Sequence, residues 1–483
     1  MNKLPCLLKE ASLRFASLPA IFTHQKKISY SELEALVQGT QSSLLENGIK
    51  KGEVVSLVLP NSLECLVILL ALFRMGGIAA PINIRFPEQQ IRQLIDSLGG
   101  SCVVIPREKL HDYPGPIHAM VCEDLINSQN SRESEKILFD PEQPVTVVFT
   151  SGSSGDPKAA LHSYKNHYFS ALGSNENIPV GPGDRWLLSL PLFHVGGLAI
   201  LFRTLLGGGT VVIPKNLQDL FQCLETYQIT HASLVNTQLL RLLKEGRFKD
   251  KKTNLKSILL GGGPLSPELL KRACELNLPL FASYGSTEMS SQIATTPPGA
   301  PLKILKNAGK VLKYRSVKVA ENGEVLVRGE TLFLGYLSEK KLISPVDEEG
   351  WYHTGDRGLL KNDSLILLGR IDRMFISGGE NVYPEEIERA FSSLPEVEQV
   401  FVVPVSDDEY GSRPAAFLKM KDSSKMTRAI ADARLGRVLA RYKIPDYFLP
   451  WPEEIENQGF KVNFKQMIEI ARKSLNIAEK PIP

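Results

Sequence analysis

From Val145 onward, short apolar and β-branched runs alternate with stretches whose apolar residues recur at helical spacing, and this alternation limits the fold more than any other feature of the chain. Val145–Thr150, Trp186–Leu190, Thr210–Ile213, Ala232–Val235, Ser257–Leu260 and Leu280–Ser283 read as buried strands. Between several of them, Leu217–Tyr227, Thr237–Gly246 and Ser266–Leu276 read as amphipathic helices. Ser266 suits an N-cap ahead of Pro267 at the first helical position. Strand and helix in alternation pack as a parallel sheet with helices on its faces, an α/β doubly wound core. Such sheets collect ligands at loops beyond the carboxyl ends of strands, and Phe149–Lys158 (FTSGSSGDPK) follows a strand directly.

After about Pro301 the rhythm changes. VKVAENGEVLVRG turns at Asn322-Gly323 and LLKNDSLILLGR at Asn362-Asp363, both hairpin signals. The expected organisation is a large unit over 1–371, with a small β-barrel-like subdomain at about 301–370, and a C-terminal α+β domain over 372–483. In the latter a helix opens at Pro384, and strands cover Gln399–Val405 and Ala415–Met420. The length of 483 residues accommodates that division.

Several function classes fall away on charge and hydropathy. Lys plus Arg is 56 against 53 Asp plus Glu, and the net charge of +3 carries no footprint for nucleic acid or an anionic membrane. The most apolar segment, Cys65–Phe73, stops at Arg74, far short of the ~20 residues that span a bilayer, and reads as a buried helix. Charges at Lys3, Lys9 and Glu10 break up any apolar leader, so a signal peptide is not expected. The six cysteines are scattered without a CxxC pair, as expected of free thiols in a reducing cytoplasm.

FTSGSSGDPK offers backbone N–H groups, hydroxyls and Lys158 to a polyphosphate, yet it is not a Walker loop: Asp156 and Pro157 precede the lysine and Ala159 follows it. Read alone, it is equally a solvated turn. Downstream, in order, stand PLFHVGG (Pro191–Gly197), LLGGGPLS (Leu259–Ser266), SYGSTE (Ser283–Glu288), GWYHTGD (Gly350–Asp356), GRIDR (Gly369–Arg373) and SGGENVYPEEIE (Ser377–Glu388). Over nearly the whole chain this ordered series resembles the adenylate-forming superfamily of acyl-CoA synthetases, peptide-synthetase adenylation domains and luciferases.

The resemblance implies an enzyme that uses ATP, Mg²⁺ and CoA to activate a small-molecule carboxylate. The loop would be Thr150, Ser151, Gly152, Ser153, Ser154, Gly155 and Lys158, over the β and γ phosphates. Gly262, Tyr284, Gly285 and Thr287 would border the nucleotide, with Tyr284 against adenine and Thr287 on the α-phosphate. Glu288 would hold Mg²⁺; its plainer alternative is a carboxylate at a helix N-terminus. Asp356 would accept the ribose hydroxyls, or simply make a turn, and Arg370 would reach the nucleotide. His194, otherwise a core histidine, would stand between the nucleotide and acyl pockets, and Gly261 and Gly263 would admit the acyl group. Asp372 falls at the family's hinge, about which the C-terminal domain would move, and Gly378 and Gly379 would line a pantetheine tunnel.

The C-terminus departs from the commoner family ending. It reads ENQGFKVNFKQ, with Phe460 between Gly459 and Lys461, so Lys461 is the expected adenylation lysine and Lys465 its competitor. That ending, with PLFHVGGLAILFR and SYGSTEMSSQ, resembles the branch that ligates o-succinylbenzoate, a keto dicarboxylate, to CoA in menaquinone biosynthesis. A substrate whose second carboxylate is not activated needs a cationic or polar partner. Arg203, Ser291 and Gln292 are the candidates; Arg203 reads equally as a surface arginine at a helix end. An aryl or medium-chain acyl-CoA ligase and a carrier-protein-loading adenylating domain are the alternatives. The residues leave the oligomeric state open, a homo-oligomer included.

Overall fold

The computed structural model describes residues 3–99, 102–113, 117–126, 137–151, 157–244, 246–249, 253–263, 265–338, 341–422, 425–456 and 462–476. Two large mixed sheets carry the first part of the chain. In one, eight-stranded, Val54–Leu57 lies parallel between Ile78–Pro81 and Cys102–Ile105, and Pro144–Ser151 then joins Ile78–Pro81. In the other, thirteen-stranded, His231–Leu234, Ser257–Leu260 and Leu280–Ser286 run parallel side by side. Helix Leu63–Met75 is buried along most of its length because almost every residue is apolar; Ser62 caps its start and Gly76, in the left-handed region, ends it. Among the described residues no helix, this one included, is long and apolar enough to cross a membrane.

Parallel pairing gives way to hairpins where the site is built. Pro144–Ser151 returns as Pro157–Ser163, antiparallel, so the phosphate-loop candidate is a hairpin connection, whereas a doubly wound unit would place a helix after the strand. The hairpin at Asn322-Gly323 pairs Arg315–Val319 with Glu324–Gly329, and the one at Asn362-Asp363 pairs Tyr352–Lys361 with Ser364–Arg370. Asn362 and Asp363 both adopt positive φ, the backbone of a two-residue turn that matches strand twist. These strands continue the thirteen-stranded sheet, while Gly335–Ser338 joins the eight-stranded sheet through Pro157–Ser163.

Past Arg370 a separate three-stranded sheet forms from Val397–Asp407, Gly411–Met420 and Tyr447–Pro450. Helix Pro384–Ser392 buries Ile387 and Phe391 against one face, and helix Phe464–Leu475 buries Met467 and Ala471 against the other. The six cysteines are free thiols.

Candidate active site

The hairpin Pro144–Ser151/Pro157–Ser163 pairs Thr150 with Lys158 and Ser151 with Pro157, which sets these residues of the expected phosphate loop side by side. Gly152, Ser153, Ser154 and Gly155 lie outside the described residues, as does Lys461. Lys158 is exposed, and its Nζ stands 5.3 Å from the centre of the Tyr336 ring. That tyrosine donates its hydroxyl to Glu288 Oε1 at 2.7 Å and lies 3.0 Å from the Tyr352 hydroxyl. One aromatic side chain therefore joins the loop lysine to the expected metal carboxylate.

Glu288 sits on a turn between strands Leu280–Ser286 and Ser291–Thr295, not at the start of a helix, so the helix-dipole account of this carboxylate has no structural basis. Buried His162 fixes the turn by donating Nε2–H to the Thr287 carbonyl at 2.7 Å, and the Phe333 amide donates to the Glu288 carbonyl at 2.8 Å. Burial pushes the His162 pKa down. His167, its ring tilted against that of His162 and its Nε2 2.7 Å from Thr146 Oγ1, has its pKa pushed down by burial and by His162. Gly285 is required by close approach: a Cβ there would lie 2.0 Å from the Ser291 carbonyl oxygen.

Tyr284, Asp356, Arg370 and Asp372 form a second group. Tyr284 is buried and donates its hydroxyl to Asp356 Oδ2 at 2.5 Å. Arg370, directly across from Asp356 in the hairpin register, donates to Asp356 Oδ1 at 3.2 Å and forks onto both oxygens of Asp372 at 2.9 and 2.7 Å. Burial pushes the Asp356 pKa up despite these donors, whereas the hydrogen bond to Asp372 is the main cause that raises Arg370.

Helix Val195–Gly207 links the third group. His194 is its N-cap residue, exposed and edge-on to Phe193. Arg203, on the same helix, is 1% exposed, so it is not a surface arginine. Its Nη2 donates to Gln292 Oε1 at 2.6 Å and to Ser291 Oγ at 3.2 Å, and its guanidinium lies 5.3 Å from the Trp186 ring centre. Nε has no hydrogen-bond partner, and among the described residues no carboxylate lies within ion-pair distance. Burial pushes its pKa down to about 9, with Arg315 adding repulsion. Gly261, Gly262 and Gly263 follow strand Ser257–Leu260 and open toward space, with no atom within 3.0 Å of a Cβ built on any of them.

Gly378 and Gly379 form the turn of the hairpin Phe375–Ser377/Glu380–Val382, both at positive φ, and Gly378 donates its amide to the Tyr410 carbonyl at 2.9 Å. Lys465 is exposed in the first turn of helix Phe464–Leu475, where its amide bonds Asn463 Oδ1. Arg203, Ser291 and Gln292, named together from the sequence, are in hydrogen-bond contact. The sequence reading passed over Tyr336, His162 and Arg315, which lie in no motif and bond partners distant in the chain, and over Tyr352, which stands within GWYHTGD but was given no role there.

Comparison with known proteins gives the family. The family model for AMP-binding enzymes matches residues 8–337, and that for the C-terminal domain of AMP-binding enzymes matches 386–457. The 2-succinylbenzoate–CoA ligase of Escherichia coli (strain K12) is 35% identical over 93% of this chain and 94% of its own. The o-succinylbenzoate CoA synthetase of Bacillus subtilis, solved in complex with the acyl-adenylate intermediate OSB-AMP, has a TM-score of 0.85 and 28% identity over 97% of this chain and 98% of its own. The same enzyme in complex with ATP and magnesium ion also superposes at 0.85, at 28% identity over 97% of this chain and 100% of its own. With its motifs in order and its two large sheets followed by a small C-terminal domain, the chain is a member of the adenylate-forming AMP-binding enzymes, an acid–thiol ligase built like their o-succinylbenzoate–CoA ligases.

Proposed function

We propose that the protein joins o-succinylbenzoate to CoA in two steps, at the expense of ATP. In the first, a carboxylate oxygen bonds the α-phosphorus of ATP as the bond to the bridging oxygen breaks, and pyrophosphate leaves. In the second, CoA sulfur, having lost its proton, bonds the acyl carbon as the bond to AMP oxygen breaks. Catalysis of the first step is positioning plus electrostatic stabilisation of charge on the α-phosphate, the work of Lys461, Lys158 and Thr287. Asp356, oriented by Tyr284 and Arg370, takes the ribose hydroxyls. Glu288 suits Mg²⁺, since its carboxylate is oriented by Tyr336 and no cluster of three or more His, Cys, Asp or Glu ligands exists among the described residues. That is the pattern of a cation shared between one carboxylate and substrate phosphates, whose charge it would neutralise. For the second step, rotation at Asp372 would withdraw Lys461 and bring the Gly378-Gly379 turn to the site.

One observation carries the substrate assignment. Arg203 is a buried guanidinium with a free Nε donor and no acidic partner among the described residues, held beside two side chains that accept from it. Burying an uncompensated cation is costly, and a substrate carboxylate that remains after activation is the missing anion. A fatty acyl chain would leave that charge unmatched. The names of the relatives point the same way. Free thiols and the absence of any membrane-length helix among the described residues suit a cytoplasmic enzyme.

The test is pyrophosphate and AMP release with a panel of carboxylates, with and without CoA. Thioester should form far faster from o-succinylbenzoate than from benzoate or octanoate. Comparable kcat/KM for all three would point to an aryl or medium-chain ligase, and AMP release indifferent to CoA would point to a carrier-loading enzyme.

A further inference from the structure

Arg203 is not the only buried arginine without an acid. Arg315, at the start of strand Arg315–Val319, is 7% exposed and forms no ion pair among the described residues. Its fork is spent on main chain instead. Nε donates to the Gln292 carbonyl at 2.6 Å, Nη1 to the Lys313 carbonyl at 2.7 Å, and Nη2 to the carbonyl and hydroxyl of Ser170, each at 3.3 Å. Ser170 in turn donates its hydroxyl to the Ser290 carbonyl at 2.7 Å.

The carbonyls pinned in this way flank Ser291. There the backbone is forced: Ser290 has φ +53° and Ser291 φ +112°, both in territory that residues other than glycine seldom enter. Strained residues of this kind persist only where the surroundings over-determine them. Two glycines make room for the device. A Cβ on Gly285 would strike the Ser291 carbonyl, and a Cβ on Gly173 would lie 2.5 Å from Arg315 Nη1. The corner so held is the one that presents Ser291 Oγ and Gln292 Oε1 to Arg203.

We propose that Arg315 is a positioning residue for acyl recognition: through Gln292, Ser170 and Ser290 it fixes the strained corner that aims Arg203, and so sets the preference for a dicarboxylate. The inference rests on Arg203 being the partner of the substrate's second carboxylate. A lysine could not substitute, because one ammonium lacks the planar fork that reaches the carbonyls of three separate segments. Arg315 also repels Arg203, which sharpens the call of that corner for an anion.

The test is the ratio of kcat/KM for o-succinylbenzoate to that for benzoate, measured by pyrophosphate release in wild type, Arg315→Lys and Ser170→Ala, with the KM for ATP and the melting temperature recorded for each. Arg315→Lys should lower the ratio at least ~10-fold, chiefly through KM for the dicarboxylate, while KM for ATP moves less than about twofold. Ser170→Ala, a milder change that retains the buried cation, should move the ratio in the same direction by about threefold. Adding Arg315→Lys to Arg203→Met should cost little more than Arg203→Met alone, since the first acts through the second. An unchanged ratio in both single variants, or an equal loss on both substrates, overturns the proposal. If Arg315→Lys does not fold, the Ser170→Ala ratio decides. A wild type without preference for o-succinylbenzoate removes the Arg203 assignment itself, whereas a clear wild-type preference that the variants keep removes only the role given to Arg315.

Discussion

Replacing Arg203 by methionine should leave the protein about as stable as before and still abolish its taste for a dicarboxylate. A guanidinium whose pKa burial lowers to about 9 carries a penalty of roughly 5 kcal/mol at most for staying charged, at about 1.4 kcal/mol per tenfold. Methionine removes that penalty and fills similar volume. Against it stand the donors lost to Gln292 Oε1 and Ser291 Oγ, about 1–3 kcal/mol each, and the stacking on Trp186, about 1 kcal/mol. The terms nearly cancel, and the net change should fall within about 2 kcal/mol of zero.

Arg74 provides the control. Its side chain is also buried but is bonded to both oxygens of Glu34, at 3.1 and 2.7 Å, so Arg74→Met takes the main cation from a buried carboxylate, leaving it the Gln38 amide and a longer contact with Lys9, and should cost about 3 kcal/mol. Denaturant unfolding of the two variants beside wild type measures the contrast. Pyrophosphate release then measures kcat/KM for o-succinylbenzoate, which in Arg203→Met should fall by about 2–5 kcal/mol, or roughly 30- to 5000-fold. Two results would refute the reasoning: Arg203→Met as unstable as Arg74→Met, or a stable Arg203→Met that still uses the dicarboxylate normally.

Glu288→Gln should lose adenylation while melting within about 2 °C of wild type, and Tyr336→Phe should weaken binding of magnesium–ATP, measured by calorimetry, without the same loss of nucleotide affinity in EDTA. Lys461→Ala should cut acyl-AMP formation at least ~100-fold yet convert preformed acyl-AMP and CoA to thioester at nearly the normal rate; the same selective defect in Lys465→Ala would transfer the role. Burial holds the pKa values of His162 and His167 below the ordinary 6.5, so the stability they contribute is complete above that pH and is lost as pH falls through it. The denaturation midpoint should therefore drop between about pH 7 and 5, and less steeply in a His162→Asn/His167→Gln double variant; parallel slopes would show that other groups govern the acid limb.

Where hydrophobic pattern alone decides, the fold was legible. Thr210–Ile213 and Ser257–Leu260 are strands to the residue, the first a β-branched run and the second a short apolar one, each too short for a helix. Lys158–Ser163 was not legible as a strand: KAALHS has no β-branched residue, and its pairing comes from the neighbouring Pro144–Ser151 and Gly335–Ser338. The turn that carries Glu288 is likewise set by tertiary contacts with His162 and Phe333. Motif residues announced the site's chemistry, but the residues that aim them did not announce themselves. Tyr336 and Arg315 resemble any strand tyrosine or arginine until the sheets bring them against Glu288 and Gln292.

Asp356 and Arg370 face each other across a single hairpin, and Asp372 completes the same fork two residues later. There is no slack in that arrangement between the carboxylate assigned to the ribose and the point assigned to the pivot. A C-terminal unit turning about Asp372 would swing from the nucleotide's own foothold, so the adenylate could stay gripped by its sugar while everything around its reactive end changes. An enzyme so jointed has no need to release and recapture a hydrolysable intermediate between its two reactions.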